Sequence, residues 1–133
     1  MHLEAVSERV RHQIMPGKAE VSLDTYFSAF KAAVAVFGRG QVSTYILAGL
    51  GDTEQEIIEM TGKLTEMGVY PFVVPFVPIA GTALEHHAKP DQAFMQSLYP
   101  KIGQQLRQQG LNSEDTQAGC AKCGACSSLK AYE

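Results

Sequence analysis

The chain has 133 residues, 45% hydrophobic, 19% charged and 8% aromatic, which is the make-up of one globular domain with a core and excludes disordered and fibrous classes. Eleven Lys and Arg against fourteen Asp and Glu leave a net charge of -3 with no basic stripe, so nucleic acid is not the expected partner. The most apolar stretch, residues 69–80, is interrupted by Pro71, Pro75 and Pro78 and is far shorter than the ~20 residues that span a bilayer, so no membrane helix is expected. Met1-His2-Leu3-Glu4 puts an acid where a signal peptide needs a basic start, and the chain reads as cytoplasmic.

In chain order, Leu3, Val6, Val10 and Ile14 recur at helical spacing until Pro16-Gly17 ends the run. Ser22 caps a second helix with the apolar face Tyr26, Phe27, Phe30, Val34 and Phe37, stopped at Gly38-Arg39-Gly40. Residues 41–48 read as a buried strand that runs into Gly49-Leu50-Gly51. Thr53 and Glu56 form a capping box for a helix that buries Ile57, Met60, Thr61 and Leu64, and Gly68 supplies its left-handed stop. Residues 70–77 read as a second strand, whose prolines imply a sheet edge or a strand end. Asp91 caps a last helix with the face Phe94, Leu98, Ile102 and Leu106 and a kink expected at Pro100. Residues 112–119 read as a polar linker, which divides the chain into a body, 1–111, and a cysteine-containing tail, 112–133.

Helix, strand, helix, strand, helix is β-α-β grammar, the mark of a parallel sheet. Two strands, with a stub of a third at Met1 to Leu3, are too few for a sheet buried on both faces. The chain therefore reads as a piece of a larger α/β fold, or as one that another chain completes.

Three groups of residues invite a chemical reading. Gly49-Leu50-Gly51, between a strand and a helix N-terminus, is where parallel α/β proteins bind ligands, although a plain tight turn has the same spacing and Glu54 stands where a dinucleotide fingerprint needs a third glycine. Cys120, Cys123 and Cys126 follow C-x2-C-x2-C, the first three ligands of a bacterial ferredoxin run, with no fourth cysteine after them. Zinc would need another ligand, for which His86 and His87 are the near-sequence candidates; adjacent side chains on a loop point apart, so both read first as exposed polar residues. Glu4 reads either as the end of a strand stub on the ligand face or as a helix N-terminal acid. Arg9, Arg11 and Lys18 read as solvated surface charges.

The stretch from Val42 to Thr53, ending Ala48-Gly49-Leu50-Gly51-Asp52-Thr53, resembles the fifth strand and following turn of biotin-synthase-like radical S-adenosylmethionine (SAM) enzymes. Val74-Pro75-Phe76-Val77-Pro78-Ile79-Ala80-Gly81-Thr82-Ala83-Leu84 is similar to their sixth strand with its G-T-x-L turn, and His2-Leu3-Glu4-Ala5 to the end of their fourth. The tail is similar to that of an uncharacterised subfamily found beside nitrilases. The resemblance, which covers most of residues 1–110, implies the C-terminal portion of a (β/α) TIM-type barrel. It also implies an enzyme that binds SAM and a 4Fe–4S cluster, generates a 5'-deoxyadenosyl radical and acts on a small-molecule substrate.

Carried over residue by residue, Glu4 would hold the ribose hydroxyls, Leu47 and Val77 would pack the adenine, and Gly49 would keep the turn open. Phe27 stands near the family's carboxylate-binding arginine, so no arginine is carried over. The cluster motif C-x3-C-x2-C and the glycine-rich second-strand segment are absent from these residues. The tail cysteines, with other spacing and after the last helix, do not replace that motif. The missing half of the barrel or a partner chain would supply it, and this chain alone is expected to be inactive. The tail itself would hold an auxiliary cluster through Cys120, Cys123 and Cys126. The competing readings are a small iron–sulfur or metal-binding electron-transfer module and a non-catalytic half-barrel completed by a partner.

Overall fold

The fold is a β-α-β unit with one helical layer before it and one after it, seen in a computed structural model that describes residues 1–133. Strands β1 (Val42–Ala48) and β2 (Val69–Pro75) run parallel, in register from Val42 opposite Val69 to Ala48 opposite Pro75. Between them, α4 (Glu54–Glu66) starts at the predicted capping box: the Thr53 N–H donates to the Glu56 carboxylate at 2.7 Å and the Glu56 N–H to Thr53 Oγ1 at 3.2 Å. Its buried residues include the predicted Ile57, Met60, Thr61 and Leu64. Gly68 follows with φ of +83°, and a Cβ there would sit 2.7 Å from Arg39 Cγ, so both the backbone and its neighbour require glycine.

Before the strands lie α1 (Glu8–Ile14), α2 (Pro16–Ala19) and α3 (Leu23–Phe37). After them comes α5 (Gln92–Gln108), capped by Asp91 and continuous through Pro100. Helix α4 packs on β2 and α5, and α3 packs on β1. One main core joins Phe30 of α3, Ile46 of β1, Ile57 and Leu64 of α4, Val73 of β2 and Leu98 and Ile102 of α5. Phe37, placed on the core face by its spacing, is 67% exposed at the last turn of α3.

The β2 prolines follow from the hydrogen-bond alternation of a strand. The Phe76 N–H reaches Ala48 O, so even-numbered residues turn their backbone groups toward β1 and odd-numbered ones turn theirs outward. Pro71 and Pro75 therefore fall on the free edge, where no ladder donor is lost. The strand ends at Pro75 rather than at the predicted Val77, which lies beyond the last residue of β1 opposite it.

A barrel portion is not what forms. The sheet has two hydrogen-bonded strands with six helices around them, and the expected third strand is one parallel bridge of Glu4 to Ile46. The Glu4 N–H donates to Tyr45 O at 2.9 Å and the Leu47 N–H to Glu4 O at 2.8 Å. Barrel closure needs every strand edge paired. Here the outer edge of β2 is covered instead by the chain's own tail, where Ser127 Oγ donates to Val73 O. The α/β class stands, and the TIM-type architecture does not.

Two further expectations are corrected. The N-terminal helix starts only at Glu8, because Asp52 takes the Val6 and Ser7 N–H groups and holds both residues outside the helix. Glu4 is thus not a helix N-terminal acid. Arg11 is not a surface charge: it is fully buried, lies over the Tyr26 ring at 4.9 Å, and donates to Lys18 O and Val21 O. Its Nε has no partner.

The tail is not a loose appendage. Thr116 Oγ1 donates to Gly40 O, Ala121 and Leu129 are fully buried, and the Tyr132 ring stacks on Tyr99 at 5.8 Å. The Glu133 carboxylate accepts from Tyr70 and from the N–H and hydroxyl of Ser113. Gly103, inside α5, lets this happen, since a Cβ there would overlap the Tyr132 carbonyl.

Candidate functional site

The residues singled out for a nucleoside ligand lie at the carboxyl ends of the parallel strands, where such sheets open their ligand crevices. Glu4 ends the stub, Leu47 is next to last in β1, Gly49 follows β1 and Val77 follows β2. Glu4 is the single non-glycine residue with positive φ, at +65°, a conformation that costs an ordinary side chain on the order of 1 kcal/mol. Its carboxylate is 28% exposed and pairs with Lys18 Nζ at 2.7 Å, so Lys18, read from sequence as a solvated charge, belongs to the site.

Leu47 joins a small second core of Ala5, Val10 and Leu50, with Ile14, Phe76 and Leu84 packed at its margin. Those same three residues, with Val77 and Ile79, line an open groove of about 300 Å³ beside it. Apolar walls of this kind suit a ligand with a flat apolar face. Val77 is 56% exposed, a wall with room in front of it.

Gly49, to which the resemblance gives the task of keeping the turn open, has close neighbours of its own. A Cβ at Gly49 would come within 2.7 Å of Pro90 Cδ, and the His87 ring nitrogen Nε2 lies 2.8 Å from Gly49 O. The glycine, at φ of +106°, admits the Pro90 ring. His87 also packs edge-on to Phe76 at 5.3 Å and acts as a clip, while His86 is solvent-exposed beside Glu85.

Asp52 is what the sequence reasoning passed over. The residue is 6% exposed, and its two oxygens accept from Val6 N, Ser7 N and Ser7 Oγ at 2.9, 2.9 and 2.6 Å. It fastens the segment that carries Glu4 to the turn that carries Gly49. A signal existed: Thr53 already caps α4, which leaves the preceding carboxylate free for another task.

The cysteines form a second cluster. Cys120 and Cys123 bound the one-turn helix α6 (Cys120–Cys123), and Gly124, left-handed at φ of +67°, turns the chain toward Cys126. All three thiols are exposed. Helix α6 packs on β2, and Cys120 lies beside the Tyr45 hydroxyl. Tyr45 in turn meets Phe72 and His2 edge-on at 5.0 and 4.8 Å. The Cys120 sulfur first, then burial, then the negative charge of all three thiolates push the Tyr45 hydroxyl up to about 12. As they stand, no three His, Cys, Asp or Glu side chains, these included, gather closely enough to hold one metal ion. The 4Fe–4S cluster expected of the tail therefore has its donors but not yet their convergence.

No helix is long and apolar enough to cross a membrane. No protein-family model and no solved structure matches the chain.

Proposed function

We propose that the carboxyl ends of the strands bind the nucleoside part of SAM, and that the chain is the SAM-contacting portion of a radical SAM enzyme acting on a small molecule. The observation that carries this reading is Glu4. A carboxylate held in a strained left-handed backbone and hydrogen-bonded into β1 beside Leu47 is placed by everything around it rather than by its own preference. Its two oxygens would accept from the ribose hydroxyls, and Leu47 and Val77 would flank the purine. Lys18 either swings aside or joins the ligand. The C-x3-C-x2-C cluster motif lies outside these residues, so a partner polypeptide or a further chain segment supplies the chemistry that cleaves SAM, and this chain alone does not turn over. Free thiols and iron–sulfur chemistry fit a reducing, cytoplasmic setting.

The test is calorimetry of SAM and of 5'-deoxyadenosine on the chain with Glu4→Gly. Glycine removes the carboxylate yet relieves the positive φ, so stability should hold or rise by up to about 1 kcal/mol. SAM affinity should fall by about 1.5–3 kcal/mol for each charge-assisted hydrogen bond lost. Unchanged SAM binding by a stable Glu4→Gly chain would remove Glu4 from the site and the reading with it.

A further inference from the structure

We propose that the outer face of α3 is a self-association surface, on which α3 of a second copy of this chain docks antiparallel with its crossing point at Ser28. This surface uses no residue of the strand-end groove and stands or falls separately from the SAM reading.

The first support is composition set against placement. Helix α3 carries two charged residues in fifteen, whereas α4 carries five in thirteen. A helix that is apolar on every side belongs in an interior. Only one side of α3 is inside: Tyr26 and Phe30 are buried, while Ser28, Ala32, Ala35 and Val36 are exposed. Of the six large apolar side chains that the chain leaves exposed, three stand at the ends of this helix, Val21 at 41%, Val36 at 76% and Phe37. The fold of one copy does not cover them.

The second support is charge, and it names the occupant. Asp24 lies four residues before Ser28 and Lys31 three after it, both on one flank of the exposed face. Neither side chain takes part in any of the chain's ion pairs. An antiparallel copy crossing at Ser28 sets each Asp24 beside the other copy's Lys31, out of line by about 1.5 Å, the rise of one residue. A two-fold axis makes both pairs at once. A parallel copy would set Asp24 against Asp24 and Lys31 against Lys31, so the charges select the direction.

The apolar residues fit the same register. Val36 is eight residues after Ser28 and Val21 seven before it, on the flank away from the charges, so each Val21 meets the other copy's Val36. Ser28 and Ala32 are small, which lets two helices close to about 8–10 Å at the crossing. Beside the charged flank, an open groove of about 430 Å³ between α3 and α4 has Phe27 and Met67 in its lining and leaves room for side chains of the second copy. Lys63 and Glu66 also line it, so with Asp24 and Lys31 the groove holds two charges of each sign. A polyanion or an anionic membrane surface selects a single sign of charge; a balanced set suits a copy of itself.

The test is sedimentation equilibrium of the full chain over a range of concentrations, with a reducing agent to keep the exposed thiols from linking copies. The expected result is a monomer–dimer equilibrium. Asp24→Lys and Lys31→Glu each make both cross pairs repulsive, and each should weaken dimerisation by roughly tenfold or more. Both positions are exposed, so folding should be kept by circular dichroism. Mixed in equal amounts, the two weakened variants carry opposite signs at both cross pairs and should associate as a heterodimer, and the chain with both changes should pair with itself again. A parent chain that stays monomeric into the millimolar range, a dimer that neither single variant weakens, or two weakened variants that do not associate when mixed would each overturn the proposal.

Discussion

At the strand ends, residues 3–7, 47–52 and 76–90 come from three separate stretches and are fastened to one another by Asp52 and His87. In the tail, the cysteines sit within one short run, fastened at its flanks by Thr116 and Ser127 and inside it by the buried Ala121. The first region is a fixed surface with its polar groups already engaged. The second is a run of exposed thiols on a fixed mount. A surface assembled from distant pieces must be rigid to exist at all, whereas a run of neighbours keeps its side chains free even when its backbone is held.

The largest expected effect tests the mount. Gly103→Val puts a side chain where the Tyr132 backbone lies, and the tail has no way to stay seated. Losing the burial of Leu129 and the Glu133 hydrogen bonds should cost about 3 kcal/mol in urea unfolding and expose residues 112–133 to limited proteolysis. A tail still protected in that variant would mean that its order owes nothing to α5.

Next in size is Asp52→Ala, which strands two backbone N–H groups in a part-buried seam and should cost about 2–3 kcal/mol. Hydrogen exchange should quicken at Val6 and Ser7 while the tail keeps its protection. If the two regions loosen together, they are one cooperative unit and the contrast between them fails.

The smallest effect concerns acid. The Thr53 N–H first, then the Thr53 hydroxyl and Arg9, hold the Glu56 carboxyl below its ordinary value of 4.5. The folded chain therefore binds fewer protons there than the unfolded one. That stabilisation is complete above 4.5 and is lost as the pH falls through the lower, folded value. Glu56→Gln keeps a capping-box partner without the charge, so its unfolding midpoint should depend less steeply on pH on the acid side, with a shift confined to the strand-end region.

The elements that periodicity made legible were those with long apolar faces and explicit caps: α3 from Ser22, α4 from Thr53 and Glu56, α5 from Asp91. What failed to show were the long-range bonds that override local pattern. Leu3 and Val6 have helical spacing with Val10, yet Thr44 and Asp52 claim their N–H groups and draw the segment onto the sheet. Arg11 looks like any exposed helix charge until three carbonyls and a tyrosine ring surround it. The barrel expectation rested on motif order, which says nothing of where the strands stop. Ser127 and Leu129, small signals in a stretch without periodicity, close the edge of β2 that a further strand would have used. Within the candidate sites, the residue types at Glu4, Leu47, Val77 and the cysteines were readable, while Lys18 and Asp52 were not, because a salt bridge or a carboxylate clamp leaves no spacing rule behind.

The bonds from the tail to the start of β1 also set an order of events during synthesis. Gln41 binds Asp115 O and Gln117 N, and Gly40 O receives Thr116, across separations of more than 70 residues. The β-α-β unit, with its short connections, can form while the ribosome is still making the last helix. Its lower end and its outer edge stay uncovered until residues 115–129 have cleared the exit tunnel. The nascent chain is thus open to edge-to-edge association until that stretch emerges, and the segment that ends the exposure is the one that carries the thiols.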